Sequence, residues 1–212
     1  MDRRRANTAK RGQFIVLEGT DGCGKSTQIR LLAERLKGLG RDVETVRDPG
    51  STPIGEAIRA VLLNPEFAEM SVRTEMMLYM ASRAQLVAER IEPALAAGRV
   101  IVSDRFVTST LVYQGFAGGL DVAEINRLHE YACGGTRPDL VVVVDIPVEV
   151  SRTRLGRGLD RMEAKSGAFH EKVRQGYLKV GEGAATKHVV IDGSGPVETV
   201  AETIWKAVSH VL

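Results

Sequence analysis

Residues 19–26, Gly19-Thr20-Asp21-Gly22-Cys23-Gly24-Lys25-Ser26, have the types and spacing needed to hold a polyphosphate. The pattern is G-x-x-x-x-G-K-[ST], and Thr27 follows it. Glycines let successive backbone N–H groups turn toward one anion, and a helix starting at the end of the loop adds its positive pole. Lys25 can reach the β- and γ-phosphates of ATP, and the Ser26 hydroxyl can ligate Mg²⁺. The competing reading is a glycine-rich turn that binds nothing. The complete octet, with an apolar run before it and a helical pattern after it, argues against that. The motif implies ATP and Mg²⁺ and says nothing of the reaction.

The reaction class turns on the arginines. Transfer of a phosphoryl group is governed by charge and positioning rather than covalent chemistry, so a kinase needs cations converging from several loops. Arg47, Arg83, Arg105 and the group Arg152, Arg154, Arg157 and Arg161 can supply them. A nucleotide switch is the alternative class, and it predicts ATP binding without turnover of an acceptor. The chain has no N-K-x-D motif of the kind a GTPase switch uses to read its base.

Other residue types fit an acceptor site. Tyr79 and Arg83 stand four apart, which puts a ring and a guanidinium on one helix face. A ring can stack on a pyrimidine and a guanidinium fork can hold a phosphate. Asp104-Arg105 closes an apolar run, where an aspartate can hold Mg²⁺ through water. Asp21 lies inside the phosphate loop, an electrostatically costly place for a carboxylate. Ser109, Tyr113 and Gln114 offer polar groups to a base or sugar, or else pack a helix end. Gly156 and Gly158 among arginines suit a closing lid over about residues 152–166. Cys23 has two readings: a thiol activated by Lys25 and the helix start, or a small residue filling a tight turn. The four histidines show no metal-ligand spacing.

These groups need a scaffold. Apolar runs at Phe14–Leu17, Val100–Val102, Leu140–Val144 and Val189–Ile191 are nearly unbroken, as in strands covered on both faces, and Val43–Val46 adds a fifth. Helical periodicity lies between them: Ile29, Leu32, Leu36 and Leu39; Met76, Met77, Met80, Ala84, Val87 and Ile91; and Val200, Ile204 and Val208 after Pro196. Alternating strands and helices predict an α/β doubly wound parallel sheet, with ligands beyond the strands' carboxyl ends. The length of 212 residues suits one domain, residues 13–212, after a basic tail at 1–12. A net charge of +2 gives no field for nucleic acid or a membrane surface, no run is long enough to span a bilayer, and residues 1–12 lack the apolar core of a secretory signal. Two cysteines without a CxxC pattern fit reduced thiols in a cytoplasm.

Ordered along the chain, several segments resemble the bacterial thymidylate kinase family of P-loop nucleoside monophosphate kinases. They are Arg47-Asp48-Pro49-Gly50-Ser51-Thr52; Leu78 to Leu86; Ser103-Asp104-Arg105-Phe106; Ser109 through Tyr113-Gln114-Gly115; Arg137-Pro138-Asp139-Leu140; and Arg157–Glu163 with Phe169–Val173 and Gly176-Tyr177-Leu178. The resemblance implies a three-layer kinase with a five-stranded parallel sheet, the reaction ATP + dTMP → ADP + dTDP, and a homodimer packed through long helices. Another deoxynucleotide or deoxynucleoside kinase is the nearest alternative. The resemblance implies that Tyr79 stacks on thymine, Arg83 grips the dTMP phosphate, and Arg105 bridges acceptor and γ-phosphoryl. It gives Asp21 the sugar 3′-hydroxyl and keeps Asp48 and Pro49 in the acceptor site. With Gly22 in the loop, Arg157 and Arg161 of the lid supply the donor-side charge. Asp48 replaces the usual Glu, and Ser51 the usual Gly, which is expected to alter the loop locally.

Overall fold

The fold is described from a computed structural model of the chain, covering residues 11–156, 158–182, 184 and 186–212. Five parallel strands form one sheet: β1 (Phe14–Glu18), β2 (Val43–Arg47), β3 (Val100–Asp104), β4 (Leu140–Asp145) and β5 (His188–Asp192), in the order β2-β3-β1-β4-β5. All five coincide with the expected runs.

The helices are α1 (Lys25–Gly38), α2 (Pro53–Leu63), α3 (Val72–Leu86), α4 (Glu92–Ala96), α5 (Val107–Thr110), α6 (Val122–Cys133), α7 (Val148–Arg154), α8 (Gly167–Lys179) and α9 (Val197–Ser209). A π-turn, Val87–Ile91, joins α3 to α4, and another, Leu111–Ala117, extends α5. Local chemistry sets several starts: the Thr52, Ser71 and Ser166 side chains accept from the N–H groups of Gly55, Thr74 and Phe169. On one sheet face α1 and α9 bury Leu32, Leu36, Ile204 and Val208 against Ile15, Leu17 and Val142; on the other, Leu86, Ile91, Val112, Val173 and Tyr177 pack on Phe14, Val16 and Val141. Each fully buried aliphatic side chain contributes about 1.5–3 kcal/mol relative to exposure.

Four sequence readings meet a boundary. β5 is not covered on both faces: it is an edge strand, and Val190 is 47% exposed. Leu39 lies past the last turn of α1 and is exposed, and Met77 turns outward while Met76 and Met80 pack against Ile125. The described chain also reaches back into the expected tail, where Gly12 N–H donates to Leu95 O at 2.8 Å.

Sheet register assembles the site. Leu17 pairs with Asp104 across β1 and β3, and Arg105 N–H donates to Leu17 O at 3.0 Å. The loop after β1 and the turn after β3 therefore leave the sheet side by side.

Candidate active site

The phosphate loop runs from β1 into α1. Gly24 caps the helix in the left-handed region, where L side chains are strained. Lys25 folds back over the loop, its Nζ donating to Gly19 O at 3.0 Å and Thr20 O at 2.9 Å. Gly22 has φ +78°, and a Cβ there would meet Ser151 O of α7 at 2.6 Å, so backbone contact excludes a side chain from this position. Ser151 Oγ donates to Asp21 O at 2.5 Å, fastening α7 to the loop. Ser26, Thr27, Asp104 and Arg154 line one cavity with the loop. Cys23 is buried, with Sγ 3.6 Å from Lys25 Nζ and packed against the Gly19 backbone. That position favours the packing reading, since a reagent reaches the thiol only when the loop opens.

Arg105 is the centre of the site. Its φ of +71° is a left-handed backbone for a side chain with a Cβ, a strain of order 1–3 kcal/mol that its surroundings enforce. Nη2 donates to Asp21 Oδ1 at 2.6 Å, and Nη1 to Tyr177 Oη at 2.8 Å and Ser109 Oγ at 3.0 Å. Tyr113 Oη donates to the other oxygen of Asp21 at 3.1 Å. Burial acts to raise the Asp21 carboxyl, but Arg105 and Lys25 outweigh it and hold it well below the usual carboxylate range. Beneath this pair lies Glu18, at the end of β1 and fully buried. Its carboxylate accepts from Phe106 N–H at 2.9 Å, Ser109 N–H at 3.2 Å, Ser109 Oγ at 2.6 Å and Tyr177 Oη at 3.0 Å. Burial raises its pKa, and Arg105 with these donors limits the rise.

A cleft extends from Arg105 between α2, α3 and the α5 π-turn. Asp21, Asp48, Arg59 and Arg105 face both this cleft and the phosphate-loop cavity, so they mark the junction. Tyr79, Arg83, Thr110 and Gln114 face only the cleft, with Pro49, Ser109 and Tyr113 along its walls. Arg83 is 1% exposed: Nε pairs with Asp48 Oδ2 at 2.5 Å, and Nη2 donates to Thr110 Oγ1 at 2.9 Å and to Phe106 O at 3.3 Å. Arg83, expected at the acceptor phosphate, lines the cleft and not the phosphate-loop cavity. Its charge is matched by Asp48, which borders both cavities. Asp48 thus turns its carboxylate to Arg83. Ser51 adopts φ +64°, a backbone that favours glycine, and is held there as its Oγ accepts from Arg47 N–H at 2.8 Å and its N–H donates to Glu56 at 2.7 Å.

The lid follows α7. Arg157 lies outside the described residues. Arg161, expected to reach the donor nucleotide, turns the other way: Nε donates to Leu62 O at the end of α2 at 2.7 Å, and Nη1 pairs with Glu75 at 2.6 Å. The open carbonyls of a helix end and a buried carboxylate hold it there. Sequence reasoning passed over Glu18, Arg59, Glu75 and Tyr177. One signal was available, an ionisable residue ending the otherwise apolar run Phe14–Glu18.

The residues present suit a divalent cation. Asp104 Oδ1 is buried without a partner, and Ser26 lies exposed in the same cavity, an oxygen donor set of the kind Mg²⁺ takes. Among the described residues no helix is long and apolar enough to cross a membrane.

Known proteins share this organisation. The family model described as thymidylate kinase matches residues 17–204. The thymidylate kinase of Caldanaerobacter subterraneus subsp. tengcongensis is 45% identical over 203 residues, covering 95% of this chain and 97% of its own. That of Rhodopirellula baltica is 46% identical over 193 residues, 91% of this chain and 78% of its own, and that of Syntrophotalea carbinolica 43% over 207 residues, 94% and 96%. A phosphate loop joined at Arg105 to a second cleft and a match along nearly the whole length lead to one conclusion: the chain belongs to the thymidylate kinase family.

Proposed function

We propose that the chain transfers the γ-phosphoryl group of ATP to dTMP, with Mg²⁺, and that its residues divide the work by position. The observation that carries this reading is the junction of two cavities at Arg105 and Asp21. The acceptor phosphate belongs at that junction, under Arg105 and Arg59, next to where the loop holds the γ-phosphate. Lys25 leaves its carbonyl partners for the β- and γ-phosphates. Asp21 binds the sugar side and keeps Arg105 aimed. Arg154 beside Gly22, together with Arg157, serves the donor side. Ser26 and Asp104 would hold Mg²⁺, which would supply charge neutralisation for the phosphates. The acceptor phosphate is anionic near neutral pH, so no histidine base is required.

At the cleft's far end, Gln114 Nε2 donates to Glu75 at 2.7 Å, and its buried Oε1 has no partner. Arg83 Nη1 contacts only Met80 Sδ at 3.4 Å, a weak acceptor. A free acceptor beside an underused donor complements the N3–H and O4 edge of thymine, and Tyr79 provides a face for the ring. This supports Arg83 as a reader of the base. The exposed Ile54 and Val61 on α2 and Met77 on α3 support a homodimer through these helices, which light scattering on the purified protein decides.

A coupled ADP-release assay with ATP, Mg²⁺ and an acceptor panel tests the reaction. dTMP should be the best acceptor. Loss of the thymine methyl in dUMP should lower kcat/KM roughly 10–200-fold. Thymidine, without a phosphate for Arg105 and Arg59, should be almost inert. Faster turnover of thymidine, AMP or dCMP than of dTMP overturns the reading.

A further inference from the structure

Glu75 lies in the first turn of α3 with 1% exposure, and three side chains from two segments converge on its carboxylate. Gln114 Nε2 of the π-turn donates at 2.7 Å; Arg161 Nη1 and Lys165 Nζ of the lid pair with it at 2.6 and 3.3 Å. A carboxylate flanked by two cations can only accept hydrogen bonds. The NH₂ end of the Gln114 amide must therefore face Glu75, and Oε1 must face the other way. Gln114 lines the acceptor cleft, is itself 1% exposed, and its Oε1 is the buried atom left without a partner.

We infer that Glu75 is a positioning residue for base choice: it locks the Gln114 amide with its oxygen toward the acceptor base. This rests on the dTMP reading above and deepens it. With the amide locked, the cleft demands a ring N–H. Thymine and uracil carry one at N3, with a carbonyl at C4 for Arg83. Cytosine carries a lone pair at N3 and an amino group at C4, so both contacts become repulsive. Without the lock, half a turn of the amide about its last torsion presents N–H instead of oxygen, and the cytosine edge becomes tolerable. Discrimination between the two pyrimidines thus originates one residue behind the group that touches the base.

The test is Glu75→Gln, whose side chain both donates and accepts, read as the ratio of kcat/KM for dTMP to that for dCMP. A site built on hydrogen bonds rejects a mismatched partner by roughly 10⁴–10⁵-fold. In E75Q the ratio should narrow at least about tenfold, chiefly through a higher KM for dTMP. Glu75→Asp keeps an acceptor-only group and should hold the wild-type ratio. Should the cations left behind in E75Q prevent folding, the double variant E75Q with Arg161→Met removes one of them and must show the same narrowing. A ratio unchanged in the variant that folds, with both substrates declining in parallel, overturns the inference. So does failure of both variants to fold, which would make Glu75 a scaffold residue only. A wild-type enzyme that prefers dCMP faults the functional reading instead, so the two failures are distinct.

Discussion

Replacing Glu18 by Gln tests how the buried layer aims Arg105. The substitution keeps shape and removes one acceptor oxygen. Backbone N–H groups cannot become acceptors, so Phe106 and Ser109 will claim the remaining oxygen, and the new NH₂ must face the hydroxyls of Ser109 and Tyr177. Those hydroxyls lie 2.8 Å from each other and already receive Arg105 Nη1 at 3.0 and 2.8 Å. At least one donor in the cluster then lacks an acceptor, at about 1–3 kcal/mol for an unsatisfied buried group. For a chain of this size each kcal/mol lowers Tm by about 2–4 °C, so a fall of roughly 2–12 °C is expected by calorimetry. Catalysis should suffer separately. The new amide pushes donors toward the partners of Arg105, and a displacement of about 1 Å in a charge-stabilising group lowers turnover on the order of 100-fold. The measurement is kcat and KM for dTMP beside Tm. A full loss of Tm with kcat within about threefold of wild type, far short of that scale, would refute the link between Glu18 and Arg105.

Two further outcomes follow from burial. His129 is 5% exposed, and burial, with Arg83 and Arg137 nearby, lowers its pKa to about 3. The unfolded chain, near 6.5, takes up the proton first, so this stabilisation is intact above about pH 6.5 and lost as pH falls, at about 1.4 kcal/mol per unit. Urea midpoints at pH 7 and pH 5 should show wild type losing roughly 2 kcal/mol more than His129→Phe; equal losses refute it. Cys23, at 2% exposure, should react with iodoacetamide on the order of tenfold or more slowly than a free thiol, ATP–Mg²⁺ should slow it further, and Cys23→Ala should keep near-normal turnover. Fast modification of Cys23 unaffected by ATP contradicts the packing role.

The strands and the phosphate loop were legible because each is carried by contiguous residues: an apolar run, then glycines and a lysine at fixed spacing. Arg83 shows where such reading stops. Helical spacing from Tyr79 places it on the cleft, but the partner that matches its charge is Asp48, a neighbour 35 positions away in sequence. Arg161 looks from sequence like a lid cation over the donor, and only the meeting of the lid with the end of α2 turns it inward. Glu75 reads as an ordinary acid in a helix's first turn, where the dipole favours one. Its partners come from the π-turn and the lid, and no local pattern announces them. Gly22 was legible in the opposite sense. The absence of a side chain was noted at once, and the close approach of α7 gives its reason.

Before any nucleotide arrives, the cations of this site already have companions. Arg83 rests on Asp48, Arg105 on Asp21, Arg161 on Glu75, and Lys25 on two loop carbonyls. For Lys25, entry of ATP is therefore an exchange of partners rather than the filling of a vacancy, while the three arginines keep their carboxylates. A lone inorganic phosphate gains little by displacing bonds that are nearly as good, whereas a nucleotide brings its base and sugar contacts to the exchange. The same pairing works at the end of the cycle: as diphosphate leaves, Lys25 has its two carbonyls to return to.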